Sequence, residues 1–200
     1  MKLYWAPNSR SLTVVWMLEE LGIPYERALV DIRSGAQDKP AYRAIHPMGK
    51  VPALVDGEVA VSEQGAICAW LADRFPEKKM APAIGDPARG DYLRWMFFEG
   101  NCIEPAFTEK ANGWNTRKSQ VGWGGYELVV DVLEDALKEG RWILGDQFTA
   151  ADVMIGSAVN FGLVVQILEK RPSFEAYQAR IAARPAFMRT QELNARATAA

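Results

Sequence analysis

Two stretches of this chain carry side chains and backbone that could hold a small charged ligand. The run Lys50-Val51-Pro52-Ala53-Leu54-Val55-Asp56-Gly57 reads as an apolar strand entered through proline and left through an Asp-Gly hairpin. Proline has no N–H to give a sheet ladder, so a Val-Pro bond at the first residue of a strand leaves the backbone of Val51 free to pair with an extended peptide. A second short strand follows, and then Val61-Ser62-Glu63-Gln64-Gly65-Ala66-Ile67, read as a helix opening with Ser62 and Glu63. The free N–H groups of a helix start and the positive end of its dipole suit a carboxylate. Side by side, the two stretches describe a cradle for a small acidic peptide held largely by its backbone.

The elements that must position this cradle are legible in the periodicity. Residues 2–5 read as a strand, and Ala6-Pro7-Asn8-Ser9 as the turn that ends it. Leu12, Val15, Trp16, Leu18 and Leu21 then recur at helical spacing from Ser11, and Gly22 with Pro24 closes the helix. Residues 25–30 predict a second strand and residues 40–45 a short helix, ahead of the two strands of the cradle and a helix from Ser62 to Phe75. The order is β-α-β followed by β-β-α. Residues 77–87 lack periodicity and read as a linker from a first domain, 1–76, to a second, 88–200, that is helical throughout. Its predicted helices span 88–111, with apolar residues over more than one face, then 119–138, then the run from Val153 to Leu168. Thr149 and Asp152 have the spacing of a capping box for the last of these. Pro172 and Pro185 open two short final helices, and the alanine-rich tail from Ala195 is expected to fray.

Composition narrows the function classes. A formal charge of −2 offers no basic stripe for nucleic acid or an anionic membrane surface. No apolar run reaches membrane-spanning length, and the first ten residues lack the apolar stretch of a signal peptide. Cys68 and Cys102 lie far apart in apolar helical contexts, which is neither a disulfide framework nor a metal site, and a reducing cytoplasm is the expected compartment.

Over essentially its whole length the chain resembles the cytosolic glutathione transferase family. The resemblance is carried by Ser9-Arg10-Ser11 after the first strand, His46-Pro47-Met48-Gly49-Lys50-Val51-Pro52-Ala53-Leu54, Glu63-Gln64-x-Ala66-Ile67 and Thr149-x-x-Asp152, in that order. It implies an α/β thioredoxin-like domain followed by an all-α domain, and a homodimer that conjugates glutathione to hydrophobic electrophiles in detoxification, with glutathione as co-substrate and no prosthetic group or metal. It further implies that Pro52 is cis and that Val51 exchanges main-chain hydrogen bonds with the cysteinyl residue of glutathione. Glu63 and Gln64 would hold the γ-glutamyl ammonium and carboxylate, and Lys50 the glycyl carboxylate. Glu99 or Asn101 would reach the γ-glutamyl group of the partner subunit's ligand.

The family's catalytic task is to hold the thiol as thiolate, the nucleophilic form. Ser9 stands at the position of the family's catalytic serine, with Ser11 and Asn8 as alternatives within the same turn, and Tyr4 as a phenol lying inside the strand. Ser9 and Ser11 would serve equally as ordinary helix caps. Phe107, Trp114 and Trp5 are candidates for the electrophile site, with Trp123 beside them, although aromatic residues at helical spacing more often fill cores. Thr149 and Asp152 read as a folding cap, His46 as a packing or loop residue rather than a catalytic one, and Cys68 as buried filler. The same site could support glutathione-dependent reduction of disulfides or peroxides, and the same fold could serve as a non-catalytic binding protein. A thioredoxin-type redox role needs a Cys-x-x-Cys pair that the chain lacks.

Overall fold

A computed structural model describes residues 1–199. Four strands, β1 (Lys2–Trp5), β2 (Glu26–Leu29), β3 (Ala53–Asp56) and β4 (Val59–Ser62), form one sheet in the order β2-β1-β3-β4. β1 and β2 are parallel, and β3 runs antiparallel to both β1 and β4. A parallel pair needs a crossover, and α1 (Ser11–Leu21) supplies it, burying Val14, Val15, Leu18 and Leu21. It stops where Gly22 turns left-handed at φ 62° and gives its N–H to the Leu18 carbonyl. Helices α2 (Pro40–Arg43) and α3 (Gln64–Arg74) complete the predicted β-α-β and β-β-α order.

The remaining helices are α4 (Ala88–Phe98), α5 (Glu104–Asn112), α6 (Tyr126–Glu139), α7 (Ala150–Val164), α8 (Pro172–Ala182) and α9 (Pro185–Ala199). Among the described residues, 79–183 form one compact unit, and 1–78 form the other together with 184–199. The chain's last helix therefore belongs with its first domain, whereas the sequence placed all of 88–200 in the second. Arg184 grips Glu20 through Nε and Nη2 at 2.6 and 2.7 Å, Arg189 reaches Glu19 at 2.8 Å, and Phe187 meets the edge of Trp16. Bidentate guanidinium–carboxylate pairs are among the stronger polar contacts, and Glu20 also accepts from the Trp16 indole at 2.8 Å. The tail is thus helical to Ala199, where fraying was expected from Ala195.

In the unit formed by residues 79–183, three helices depart from the periodicity. The expected helix over 88–111 is interrupted by a π-helical turn, Glu99–Ile103. Pro105 has no N–H to give residue 101, and its ring crowds that carbonyl, so a regular helix cannot run through this point. Nor is α4 buried all round, since Leu93 and Phe97 are exposed one turn apart. The helix expected from Ser119 begins at Tyr126, because Gly124 and Gly125 adopt φ 73° and 113°. In the segment before it, Glu109 accepts hydrogen bonds from the Thr116 hydroxyl and from the Trp123 indole at 2.7 Å, which hold its carboxyl below the usual range. Finally, α7 starts at Ala150 and ends at Val164, short of Leu168, where Gln166 turns left-handed.

The capping box forms as its spacing predicts. Thr149 Oγ1 accepts from the Ala151 N–H, and Asp152 Oδ2 accepts from the Thr149 N–H at 2.9 Å. Asp152 goes beyond capping: Oδ1 also takes the Ile143 N–H at 2.7 Å and the Tyr177 hydroxyl at 2.8 Å, joining α7, α8 and the preceding loop. Burial pushes the carboxyl pKa up to about 6 although these hydrogen bonds pull it down. A carboxyl raised in this way gives stability that is complete below its ordinary value and is lost as pH rises through about 6. Asp152→Ala is expected to lose about 3 kcal/mol at pH 5, since it strands buried donors, and less at pH 7.5. Urea denaturation at the two pH values checks this, and a loss that grew with pH would contradict it.

Candidate functional site

Strand register brings the cradle together. Tyr4 of β1 stands opposite Ala53 of β3, and Ala53 stands opposite Ser62 of β4. Trp5 stands beside Leu29 at the end of the parallel pair. The turn after β1, the loop after β2, the entry to β3 and the exit from β4 therefore all open at one end of the sheet. This is the carboxyl end of the parallel strands, where open α/β sheets place their ligands. Ser9, Lys50, Val51, Pro52, Glu63 and Gln64, scattered over the first 64 residues, meet there.

At the entry to β3 the Val51–Pro52 bond is cis, and the sheet ladder begins only at Ala53, so the main chain of Val51 lies outside it. Lys50 is exposed, and its carbonyl accepts the Tyr42 hydroxyl at 2.6 Å. Burial, with a contribution from Tyr4, pushes the Tyr42 phenol up to about 12, so it stays a donor. His46 is buried and stacks on Tyr42, as expected of a packing residue. Gly49 has φ 61°, and a Cβ there would stand 2.9 Å from both Arg43 Nε and the Gln37 carbonyl.

Ser62 ends β4, and the helix begins at Gln64, two residues later than expected, because Ser62 is held in the ladder by Ala53. Glu63 makes the corner at φ 70°, is exposed, and forms no side-chain cap on α3. The Glu63 side chain is thus carried outward and does not cap the first turn of α3.

The turn after β1 is a closed circuit. The Ser9 hydroxyl lies 2.6 Å from the Ala6 carbonyl and 2.9 Å from Ser11 Oγ, and Ser9 Oγ accepts the Ser11 N–H at 3.2 Å. Ser11 Oγ in turn accepts the Ala6 N–H at 3.3 Å. With one proton each, the consistent arrangement has Ser9 donating to Ala6 and Ser11 donating to Ser9. Ser9 is partly exposed and Ser11 fully buried, so of the two only Ser9 can meet a ligand. Asn8 faces elsewhere: its amide pairs with Asn194 and Thr198 of α9. Tyr4 packs edge-on against Tyr42 inside the sheet.

The aromatic candidates separate by exposure. Trp5 and Phe107 are each 4% exposed, Phe107 lying against Tyr126 and beneath Gly162, so both are core residues. The Trp123 indole is committed to Glu109. Trp114, 55% exposed, is the one of this group that offers a free face. Glu99 is buried within the π-helical turn and Asn101 is exposed. Cys68 is buried, as expected. No cluster of three or more His, Cys, Asp or Glu side chains suited to a metal ion occurs among the described residues, and no described helix is long and apolar enough to cross a membrane. Sequence reasoning did not find Tyr42 or Asn194. Neither stands in a motif, and each acts through a contact made only on folding.

Known proteins share this arrangement. Residues 9–74 match the family model of the glutathione S-transferase N-terminal domain, and residues 113–161 match that of the C-terminal domain, together more than half of the chain. Glutathione S-transferase 3 of Schizosaccharomyces pombe is 32% identical over 173 residues, covering 75% of this chain and 69% of that protein. The crystal structure of a glutathione transferase from Methylococcus capsulatus superposes with a TM-score of 0.82 at 29% identity, covering 97% of this chain and 98% of the other. A sphingomonad glutathione S-transferase complexed with glutathione gives 0.80 at 25% identity, covering 98% and 99%.

Gly49→Ala tests how tightly the loop before β3 is built. The left-handed backbone and the approach to the Gln37 carbonyl are expected to cost ~2 kcal/mol in urea denaturation. A neutral substitution would show that the loop yields without cost.

Proposed function

The chain belongs to the glutathione S-transferase family and takes glutathione as its co-substrate, and from that premise we propose how its residues divide the work. The cysteinyl main chain of glutathione pairs with Val51 in the manner of an added strand, ahead of cis Pro52. Glu63 accepts the γ-glutamyl ammonium, Gln64 and the N-terminal turn of α3 take the γ-glutamyl carboxylate, and Lys50 meets the glycyl carboxylate. The carrying observation is the strand register, which brings Ser9, Val51 and Glu63 to one end of the sheet.

Glutathione laid along this cradle directs its thiol toward the turn after β1. The thiol gives its proton to solvent, and the thiolate accepts a hydrogen bond from Ser9. To make it, the Ser9 hydroxyl leaves the Ala6 carbonyl, while the Ser11 N–H and hydroxyl continue to hold Ser9 Oγ in place. A hydrogen bond to a charged acceptor is worth about 1.5–3 kcal/mol against about 1 for the neutral one given up, so the exchange favours the thiolate by ~1 kcal/mol or slightly more. The sulfur lone pair then forms a C–S bond to an electrophilic carbon, and the displaced electron pair leaves with the leaving group or is protonated by water. Conjugation of hydrophobic electrophiles is the proposed reaction and detoxification its use, with Trp114 the exposed aromatic candidate for electrophile contact. The absence of cysteine from the turn Ala6–Ser11 favours this over thiol–disulfide exchange.

A homodimer belongs to the same proposal. Leu93 and Phe97 expose an apolar stripe on α4, and Asn101 lies exposed one turn further on. So does a cytoplasmic location, where Cys68 and Cys102 would stay reduced, as the structure has them.

Retention on immobilised glutathione followed by ultraviolet titration of the bound thiolate tests the reading. Ser9→Ala is expected to raise the thiolate pKa by about one unit and to lower kcat/KM about tenfold at neutral pH. Glu63→Gln is expected to raise KM for glutathione roughly tenfold with kcat little changed. Failure of the wild type to be retained would sink the reading, and an unchanged pKa in Ser9→Ala would remove Ser9 from it. Light scattering checks the dimer: the expected mass is twice 22.3 kDa, and a 22.3 kDa particle at working concentration would refute it.

A further inference from the structure

We propose that Asn194, on the last helix, is a positioning residue for the thiolate: it holds Asn8 in the conformation that presents the Ser9 turn to sulfur. The proposal rests on the reading above that the sulfur lies at this turn. Asn8 has φ 52°, a left-handed backbone that few L residues other than asparagine adopt readily, and it immediately precedes Ser9. Its support comes from the far end of the chain. The Asn8 N–H donates to Asn194 Oδ1 at 2.9 Å, and Asn194 Nδ2 donates back to Asn8 Oδ1 at 2.8 Å. Asn8 Nδ2 then donates to Thr198 Oγ1 at 3.3 Å, and the Thr198 hydroxyl donates to the Asn194 carbonyl at 2.9 Å.

The direction of this chain of bonds is dictated by its first member. A backbone N–H can only donate, so the Asn194 atom facing it is oxygen. Its nitrogen therefore faces the Asn8 oxygen, and the Asn8 nitrogen faces Thr198. Each donor in the circuit finds an acceptor.

α9 is in turn a fixed platform for this contact. Arg184 and Arg189 bind Glu20 and Glu19 at the C-terminal end of α1, and Phe187 packs on Trp16. α1 begins at Ser11, so the turn is held at one end by α1 and in its middle by a helix bolted to α1. Asn8 itself is exposed, so the α9 contacts are what restrain its backbone. The glutathione cradle at Val51 and Glu63 makes none of these contacts. Loosening the turn is therefore predicted to act on the sulfur and to spare ligand affinity.

The test is a double-mutant cycle of Asn8→Ala and Asn194→Ala, read by thiolate titration and by the pH dependence of kcat/KM, with Ser9→Ala alongside. Asn194→Ala is expected to fold, since alanine favours the helix. It is expected to raise the bound thiolate pKa by about half a unit to one unit and to leave KM for glutathione within about twofold. On the Asn8→Ala background the same substitution should add nothing. An unchanged pKa in Asn194→Ala, or a full effect that persists in Asn8→Ala, would overturn the proposal. An unchanged pKa in Ser9→Ala with a shifted one in Asn194→Ala would refute Ser9 as the donor and uphold Asn194, because the readout is the thiolate itself. Absence of glutathione binding by the wild type would overturn both readings.

Discussion

The pairing of Ala53 with Tyr4 on one side and Ser62 on the other is the constraint from which the candidate site follows. Ala53 is fully buried and begins β3, so its register decides which residues fall beyond the sheet and which stay in it. A slip of one residue would turn Leu54 from the core to the opposite face and move the exit of β4 away from the entry of β3. Hydrophobic burial of Leu3 and Leu54 on one face opposes any such slip. The position of Glu63 relative to Val51 is thus a consequence of core packing and needs no contact between them.

A second theme is that the site's polar groups are engaged rather than idle. The Ser9 hydroxyl is held by Ala6 and Ser11, the Lys50 carbonyl by Tyr42, and Asn8 by α9. Such engagement keeps the turn ordered before any ligand arrives, which lowers the ordering cost on binding. It also limits how strongly the turn can favour an anion, since each new hydrogen bond displaces an old one. In the unit formed by residues 79–183, Asp152 follows the opposite logic. It takes three strong donors into a dry interior and serves packing alone.

Much of this was legible in the sequence because it depends on local rules. Val51-Pro52, the Asp56-Gly57 hairpin, Gly22 after α1 and the Thr149-x-x-Asp152 box each act within a few residues, through a missing N–H, a left-handed φ or a cap. Their places in the fold were readable for that reason. The helix boundaries that failed did so where a local signal was outweighed. Pro105 broke a strongly apolar helix from within, Gly124 and Gly125 delayed α6, and the ladder partner of Ser62 kept it out of α3.

What periodicity could not supply were contacts between residues remote in the chain. Trp5 and Phe107 looked like ligand-facing aromatics and are core, because an apolar ring reads the same on either side of a surface. α9 looked like a short last helix of the second domain with a frayed end from Ala195 and is an anchored part of the first, because its partners Glu19, Glu20 and Asn8 lie more than 160 residues away. The residue types proposed for the chemistry and the local turns that carry them were determined by the sequence itself, since backbone sterics and capping act over a few bonds. Which of Asn8, Ser9 and Ser11 is left open to the role proposed for this turn was decided only by tertiary structure, since burial of Ser11 and capture of Asn8 by α9 arise from folding.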